Sequence, residues 1–295
     1  RRPEDITAWG PRTALPGNTP GRLGFTYPNV LRLAGERRTY LLWRGGDWNP
    51  AFATRSDGRG WSAPRRLISA PGRRPYVKVA PDGRRTIHIA FSDGHPGEGS
   101  SRIRYVRYRG GRLETATGTV LHRLARGPLR YTRAELVDPA AGGRVHSWIH
   151  DMAIGADGRP VIVFAQFAGL GDHRYRYARF DGGRWVVSDI TPAGGSIDRT
   201  GGNLDYSGGI ALDQSDPRIV YLSAQRGAVH ELERWTTPDG GRTWSAEPLT
   251  AGSPEPHFRP VSPRGHPPGE LPVLWLTGRY DGWRRYDTMV LGALR

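Results

Sequence analysis

The sequence predicts an all-β fold, a β-propeller of four-stranded blades, and three observations carry that prediction. Apolar and polar residues alternate in runs too short for helices. Gly, Pro, Asn and Asp interrupt these runs at roughly ten-residue intervals. A unit of short apolar strand, Gly/Asp turn, second strand, polar loop and third strand returns five times along the 295 residues. Repetition at that larger period argues for blades rather than for a sandwich.

The first copy runs through Tyr27–Leu33, Thr39–Arg44 and Pro50–Arg55, then closes on Ser56–Trp61 and an outer strand. The second holds Tyr76–Ala80, Thr86–Phe91 and Arg102–Tyr108, and the third Asp151–Ile154, Pro160–Phe164 and Tyr175–Phe180. The fourth holds Tyr206–Leu212, Ile219–Ser223 and Glu231–Trp235, and the fifth Phe258–Val261, Pro272–Leu276 and Tyr286–Leu291. The fifth stops after its third strand, so the segment before Tyr27 is expected to add the outer one and close the ring. Irregular stretches at 111–146 and 186–205 leave room for a sixth or seventh blade, and residues 1–295 are expected to form one domain. Thr237-Pro-Asp-Gly-Gly-Arg-Thr-Trp244 matches the Ser/Thr-x-Asp-x-Gly-x-Thr-Trp pattern of an Asp-box, and Ser56–Trp61 is a version one residue shorter. In such a turn the Asp caps backbone N–H groups, the Gly permits the bend and the Trp packs between blades.

Composition narrows the partners. With 41 Gly, 25 Pro and 37% hydrophobic residues, the chain suits many short strands joined by tight turns. No apolar run approaches the ~18 residues of a membrane helix, and none at the start resembles a signal peptide, so a mature secreted chain is expected. The absence of cysteine excludes disulfides and thiolate metal sites. The net charge of +15 is almost all arginine, Lys78 being the single lysine. That charge is scattered rather than gathered in a basic run or helix, so an acidic polysaccharide or oligosaccharide is expected as partner, with no nucleic acid and no membrane. A monomer is expected. Phosphate-binding glycine loops, HExxH and EF-hand patterns do not occur. No cofactor is expected to be required, although His146 and His150 share one face of a strand and leave a structural metal ion open.

Topology then selects a face. In an antiparallel blade lettered A to D from the axis outward, the B–C turn and the segment leading into strand A emerge on the same side, around the channel mouth. The B–C turns hold Arg44, Asp47, Trp48 and Asn49; Asp93 and His95; Asp172, His173 and Arg174; Arg226 and His230; and Arg279, Tyr280 and Asp281. The segments leading into strand A add Tyr27, Asn29, Arg74, Tyr76, His146, Trp148, His150, Tyr206, His257 and Arg259. Guanidinium groups grip carboxylate or sulfate in pairs of hydrogen bonds. Trp and Tyr stack on sugar rings, while His and Tyr can transfer protons. The expected substrate-binding residues are therefore Arg44, Trp48, Arg74, Tyr76, Trp148, Tyr206, Arg226, His230, Arg259, Arg279 and Tyr280. The expected catalytic residues are His95, His150, His173 and Arg174.

The segments Arg74–Lys78, Phe91–Pro96, Asp172–Arg179 and Tyr206–Leu212, with Gly278–Tyr280 and Tyr286–Thr288, carry a resemblance. Over roughly residues 25–291 the chain resembles the BNR/Asp-box repeat family that includes ulvan lyases and L-rhamnosyl-glucuronate lyases. The resemblance implies a propeller that cleaves beside a uronic acid by β-elimination, using His, Tyr and Arg. It implies that His95 stands at a catalytic histidine, Arg174 at the arginine that neutralises the uronate, and Arg226 at a substrate-binding arginine. Two positions depart from the family. Arg74-Pro75-Tyr76 replaces a second histidine upstream of His95, and His146–His150 occupies the region of the catalytic tyrosine.

Three functions fit these residues. A polysaccharide lyase acting on a uronic-acid glycan, with rhamnose-linked glucuronate as the implied target, would use Arg174 and Arg226 on the carboxylate. His95 would be its base, and His150 or Tyr206 the acid for the leaving oxygen. A glycoside hydrolase, rhamnosidase-like, would draw on Asp47, Asp93, Asp172 and Asp281, because most hydrolases need two carboxylates, whereas a sialidase-like one would grip a carboxylate with an arginine cluster and use a Tyr nucleophile. A non-catalytic glycan-binding propeller is the third.

Overall fold

Period-two alternation becomes paired strand in all five copies, and the resulting antiparallel sheets stand as the blades of a five-blade β-propeller. The computed structural model describes residues 7, 14–22, 24–138, 146–169, 171–266, 270–282 and 284–293. Blade 1 has strands A to D at Thr26–Leu33, Arg38–Arg44, Pro50–Ser56 and Arg65–Arg66. Blade 2 has Tyr76–Pro81, Thr86–Ser92, Ile103–Arg109 and Arg112–Glu114. Blade 3 has Ser147–Ile154, Pro160–Gly169, Asp172–Asp181 and Arg184–Gly194. Blade 4 has Ile210–Leu212, Ile219–Arg226, Val229–Thr236 and Ser245–Pro248. Blade 5 has three described strands, His257–Val261, Leu274–Tyr280 and Tyr286–Gly292.

The innermost strands ring a central channel, into whose wall the blades send Asn29, Lys78, His150, Ala211 and Pro260 in turn. The core lies between blades, because successive side chains of a strand point to opposite faces. In blade 3, Val161, Val163, Tyr175 and Tyr177 pack on Ile210 and Leu222 of blade 4. Its Met152, Ile162 and Phe164 pack the other way, on Ala90 and Tyr105 of blade 2. Each such fully buried side chain contributes about 1.5–3 kcal/mol.

The structure resolves two open stretches, and a third expectation lies outside the described residues. The stretch 111–138 adds no blade. It extends blade 2 with Val120–Arg123, pairs Glu135–Leu136 with strand C of that blade, and sets Leu129–Arg130 parallel to Ile68–Ser69. The outer strand of blade 3 ends at Gly194, and the residues from there to Gly209 form a loop, so strand A of blade 4 starts at Ile210 instead of Tyr206. Gly208 and Gly209 require this. A Cβ on Gly208 would collide with Ser223 Oγ, and Gly209, at φ 106, donates its N–H to the Tyr175 hydroxyl at 2.7 Å. The proposed N-terminal outer strand of blade 5 falls largely on residues 1–6 and 8–13, outside the described residues. Asn18 and Phe25 pack on blade 1, with Asn18 Oδ1 accepting from Trp43 Nε1 at 2.7 Å and Phe25 lying 5.0 Å from the Trp43 ring.

The two box-like turns behave differently. Asp239 accepts from the N–H groups of Arg242 and Thr243 and from the Thr243 and Thr237 hydroxyls, at 2.7–3.0 Å. These bonds hold its pKa down at about 2, against an ordinary 3.8. Trp244 packs edge-on against Tyr177 of blade 3 at 5.2 Å. In the shorter turn Asp57 instead pairs with Arg32 through two 2.9 Å bonds. Because the folded pKa of Asp239 is depressed, its contribution is present above the unfolded value and lost as pH falls through the folded one. Asp239→Asn therefore lowers the unfolding midpoint at pH 6, and the gap from wild type closes between pH 3.8 and about 2 in matched thermal melts.

Candidate functional site

At the channel mouth, side chains from all five blades meet in one continuous arc. It begins in blade 1, where the Arg44 guanidinium lies 4.7 Å from the Tyr27 ring, 4.7 Å from Trp48 and 4.6 Å from Tyr76 of blade 2. Tyr76 continues to Trp148 of blade 3 at 5.0 Å and to His95 at 5.9 Å, with His95 itself 4.9 Å from Trp148. Trp148 stands edge-on to Tyr206 at 5.3 Å, and Tyr206 lies 6.3 Å from Tyr280 of blade 5. Arg259 covers the Tyr206 ring at 5.3 Å, and Arg74 covers Trp48 at 5.0 Å. Of the fifteen residues expected to form the site, Arg44, Trp48, Arg74, Tyr76, His95, Trp148, Tyr206, Arg259 and Tyr280 are brought together here.

Two acids frame His95 in different ways. Asp93, 3% exposed, accepts from Arg73 at 2.9 Å, Arg104 at 2.8 Å and the Arg102 N–H at 3.1 Å, which fixes the B–C turn of blade 2. His95 Nδ1 accepts from the Gly97 N–H at 3.0 Å. A neutral imidazole has one donor nitrogen and one acceptor, so the remaining nitrogen, Nε2, carries the proton. Burial, then the charges of Arg74 and Arg44, push the pKa of His95 down to about 4. Its other ring nitrogen is thus a hydrogen-bond donor at neutral pH.

Asp205 shares this niche, for a Cβ at Gly97 would lie 3.0 Å from its Oδ2 and 3.2 Å from His95 Nδ1. Burial raises the Asp205 pKa while nearby His146 draws it down. The sequence reading missed Asp205, because it reaches blade 2 from the loop before strand A of blade 4, and only the fold reveals that crossing. Tyr206 is pushed up to about 12 by burial and by neighbouring tyrosines.

The other expected residues lie elsewhere. His173 is fully buried, edge-on to Phe167 at 4.7 Å, and His230 is 7% exposed, with burial lowering both pKa values. Alternation turns both rings into the blades, so neither reaches the mouth. His150 lies in the channel wall below the arc, bonded through Nε2 to Ser207 Oγ at 3.0 Å, and burial holds its pKa well down. Arg174 faces solvent and holds Asp172 through two 2.8 Å bonds, while Arg226 holds Glu233 at 2.7 and 2.9 Å. Arg279 pairs with Asp281 at 3.1 Å. His146 Nδ1 meets the Pro96 carbonyl at 2.7 Å, so the two histidines considered for a metal face separate partners. Among the described residues no group of three or more metal-ligating side chains forms, and no helix is long and apolar enough to cross a membrane.

A five-blade ring with a cationic and aromatic mouth defines the class of protein. The model of the BNR repeat-containing family matches residues 1–193, and the chain belongs to that family. No curated protein matches the chain. Among solved structures, it is similar to a family 25 polysaccharide lyase, an ulvan lyase bound to -[GlcA(1-4)Rha3S]-, with TM-score 0.69 and 14% identity over 90% of this chain and 64% of that one. It is also similar to the Hadza microbial sialidase Hz136, with TM-score 0.53 and 12% identity over 92% of this chain and 56% of that one. A third similar structure, the polysaccharide lyase Uly1, gives TM-score 0.50 and 12% identity over 91% and 57%. The chain thus spans less than two thirds of each of these proteins, and at such identities the shared feature is the fold.

Two outcomes test this geometry. Asp93→Ala leaves Arg104, only 11% exposed, without its carboxylate and costs about 3–5 kcal/mol in denaturant unfolding. In nitrogen-15 NMR, His95 stays neutral with the proton on Nε2 until the pH nears about 4; titration near the ordinary 6.5 would contradict the site as described.

Proposed function

We propose that this mouth binds an acidic polysaccharide and cleaves it beside a uronic acid by β-elimination. The observation that carries the reading is the joining of an arginine–aromatic arc to a neutral histidine donor and a carboxyl group of raised pKa. The aromatic rings offer faces on which sugars stack, and guanidinium groups favour a polyanion. Elimination removes the proton on C5, forms the C4–C5 double bond and breaks C4–O4, and the departing oxygen takes up a proton. Asp205 accepts the C5 proton and returns it to the departing O4, toward which His95 donates a hydrogen bond from Nε2. A guanidinium on the carboxylate stabilises the charge that develops as C5 loses its proton.

The same geometry argues against hydrolysis by a carboxylate pair. Asp47 pairs with Arg66, Asp93 with Arg73 and Arg104, Asp172 with Arg174, and Asp281 with Arg279. Each of the four aspartates considered for that role is committed to an arginine.

Incubation with ulvan and other uronate glycans tests the proposal through the ultraviolet absorbance of the unsaturated product. Absorbance rises with wild type, and His95→Ala or Asp205→Asn slows the rise about a hundredfold or more. Because Asp205 works deprotonated and its pKa is raised, the acid limb of the rate profile falls above the usual carboxylate range. Reducing sugar released without absorbance would shift the reading to hydrolysis. Binding with no product at all would leave a glycan-binding propeller.

A further inference from the structure

Across the channel mouth and the rim around it, charge is balanced unevenly. Arg74, Arg174, Arg226 and Arg279 each face an acidic side chain, Glu98, Asp172, Glu233 and Asp281 respectively. Arg44 and Arg259 form no ion pair with a carboxylate among the described residues. For Arg44 the imbalance is severe. The residue is 7% exposed, its Nε donates to Thr26 Oγ1 at 3.2 Å, and its buried Nη1 has no hydrogen-bond partner. Burying a cation without a counter-ion is costly, and three aromatic faces offset only part of that cost.

Backbone strain marks the same place. Five described non-glycine residues have positive φ, and three of them lie here: Tyr27 at 54°, Trp48 at 68° and Arg259 at 55°. Tyr27 and Arg259 sit at matching irregularities, where the A–B register shifts between Thr26 and Asn29 in blade 1 and between Phe258 and Val261 in blade 5. Such conformations are costly and persist where the surroundings hold them. Here the Arg259 N–H is held by the Gly208 carbonyl at 2.6 Å, and the Tyr27 carbonyl by Asn29 Nδ2 at 3.0 Å. The strain turns Tyr27 and Arg259 toward the mouth from blades 1 and 5. Tyr27 is 54% exposed yet enclosed by the concave mouth, so burial raises its pKa, while the charges of Arg44 and Arg259 both act on the phenol in the opposite sense.

We infer that Arg44 and Arg259, with the Tyr27 phenol between them, form the receptor for the oxyanion of an acidic sugar, and that Arg174 does not. This deepens the reading of the mouth as an acidic-glycan site and rests on it, but it requires no catalysis. An incoming carboxylate or sulfate meets two guanidinium groups that hold no internal carboxylate, whereas at Arg174 it would have to displace Asp172. The shared chemistry is a sugar oxyanion, with a uronate carboxylate and a sulfate ester as its two sources.

The test is calorimetric binding of three oligosaccharides to the whole protein: one containing glucuronate, its carboxyl-reduced counterpart and a sulfated neutral one. Wild type binds the glucuronate form about tenfold or more tightly than the reduced form. Arg44→Gln and Arg259→Gln each remove most of that preference. Arg44→Lys, which keeps the charge but not the planar stacking, and the partly exposed Arg259 position serve as checks should Arg44→Gln fold poorly, with thermal melts identifying folded protein. A preference for the sulfated form that is lost in the same variants supports the receptor and names sulfate as its source. The inference is overturned if folded Arg44 and Arg259 variants keep the preference, or if Arg174→Gln alone abolishes it. Failure of the lyase reading is seen separately, as intact charge preference without unsaturated product.

Discussion

The antiparallel order of strands within each blade is the constraint on which the site depends. With strand A on the axis, every B–C turn and every segment leading into strand A must emerge on one side of the ring. Residues far apart in sequence therefore converge without any local motif to join them. Tyr27, Tyr76, Trp148, Tyr206 and Tyr280 come from five blades and meet ring to ring only because each sheet repeats the same up-and-down path. The core obeys the same rule, since alternation sends successive side chains of one strand to different neighbouring blades.

Within that frame, counter-ions decide which cations are available to a ligand. Arginine is abundant along the chain, and Arg174, Arg226 and Arg279 around the rim, like Arg74 at the mouth, already hold a carboxylate. Asp93 and its two arginines illustrate the structural use of such a pair, fixing the turn that presents His95. Arg44 illustrates the opposite case, a buried guanidinium held by π faces and by the hydroxyls of Thr26 and Tyr27, with no carboxylate. The difference is one of function. A paired arginine shapes the scaffold, and an unpaired one attracts an anion.

The blades and the rim were legible in the sequence because both follow from period-two alternation and turn residues. The short polar outer strands, such as Arg65–Arg66 and Ser245–Pro248, carry no alternation and pair only because strand C already stands beside them. Which rim residues face the mouth was less legible. A shift of one position separates buried His173 from exposed Arg174, and the sequence offers no cue to which side the loop covers. Asp205 was hidden for a related reason, since its partners in blade 2 belong to a distant segment. Ion pairing is equally nonlocal: Arg74 finds Glu98 across two strands, and Arg104 finds Asp93 across the B–C turn.

The central claim is that five blades jointly present one surface for an acidic sugar chain. A crystal structure with a bound glucuronate oligosaccharide tests it most directly. The account predicts sugar rings against Tyr76, Trp148 and Tyr206, with the acidic group between Arg44 and Arg259. Sugar bound instead at Arg174, or in the cleft on the opposite face between Asp157 and Arg218, would contradict it.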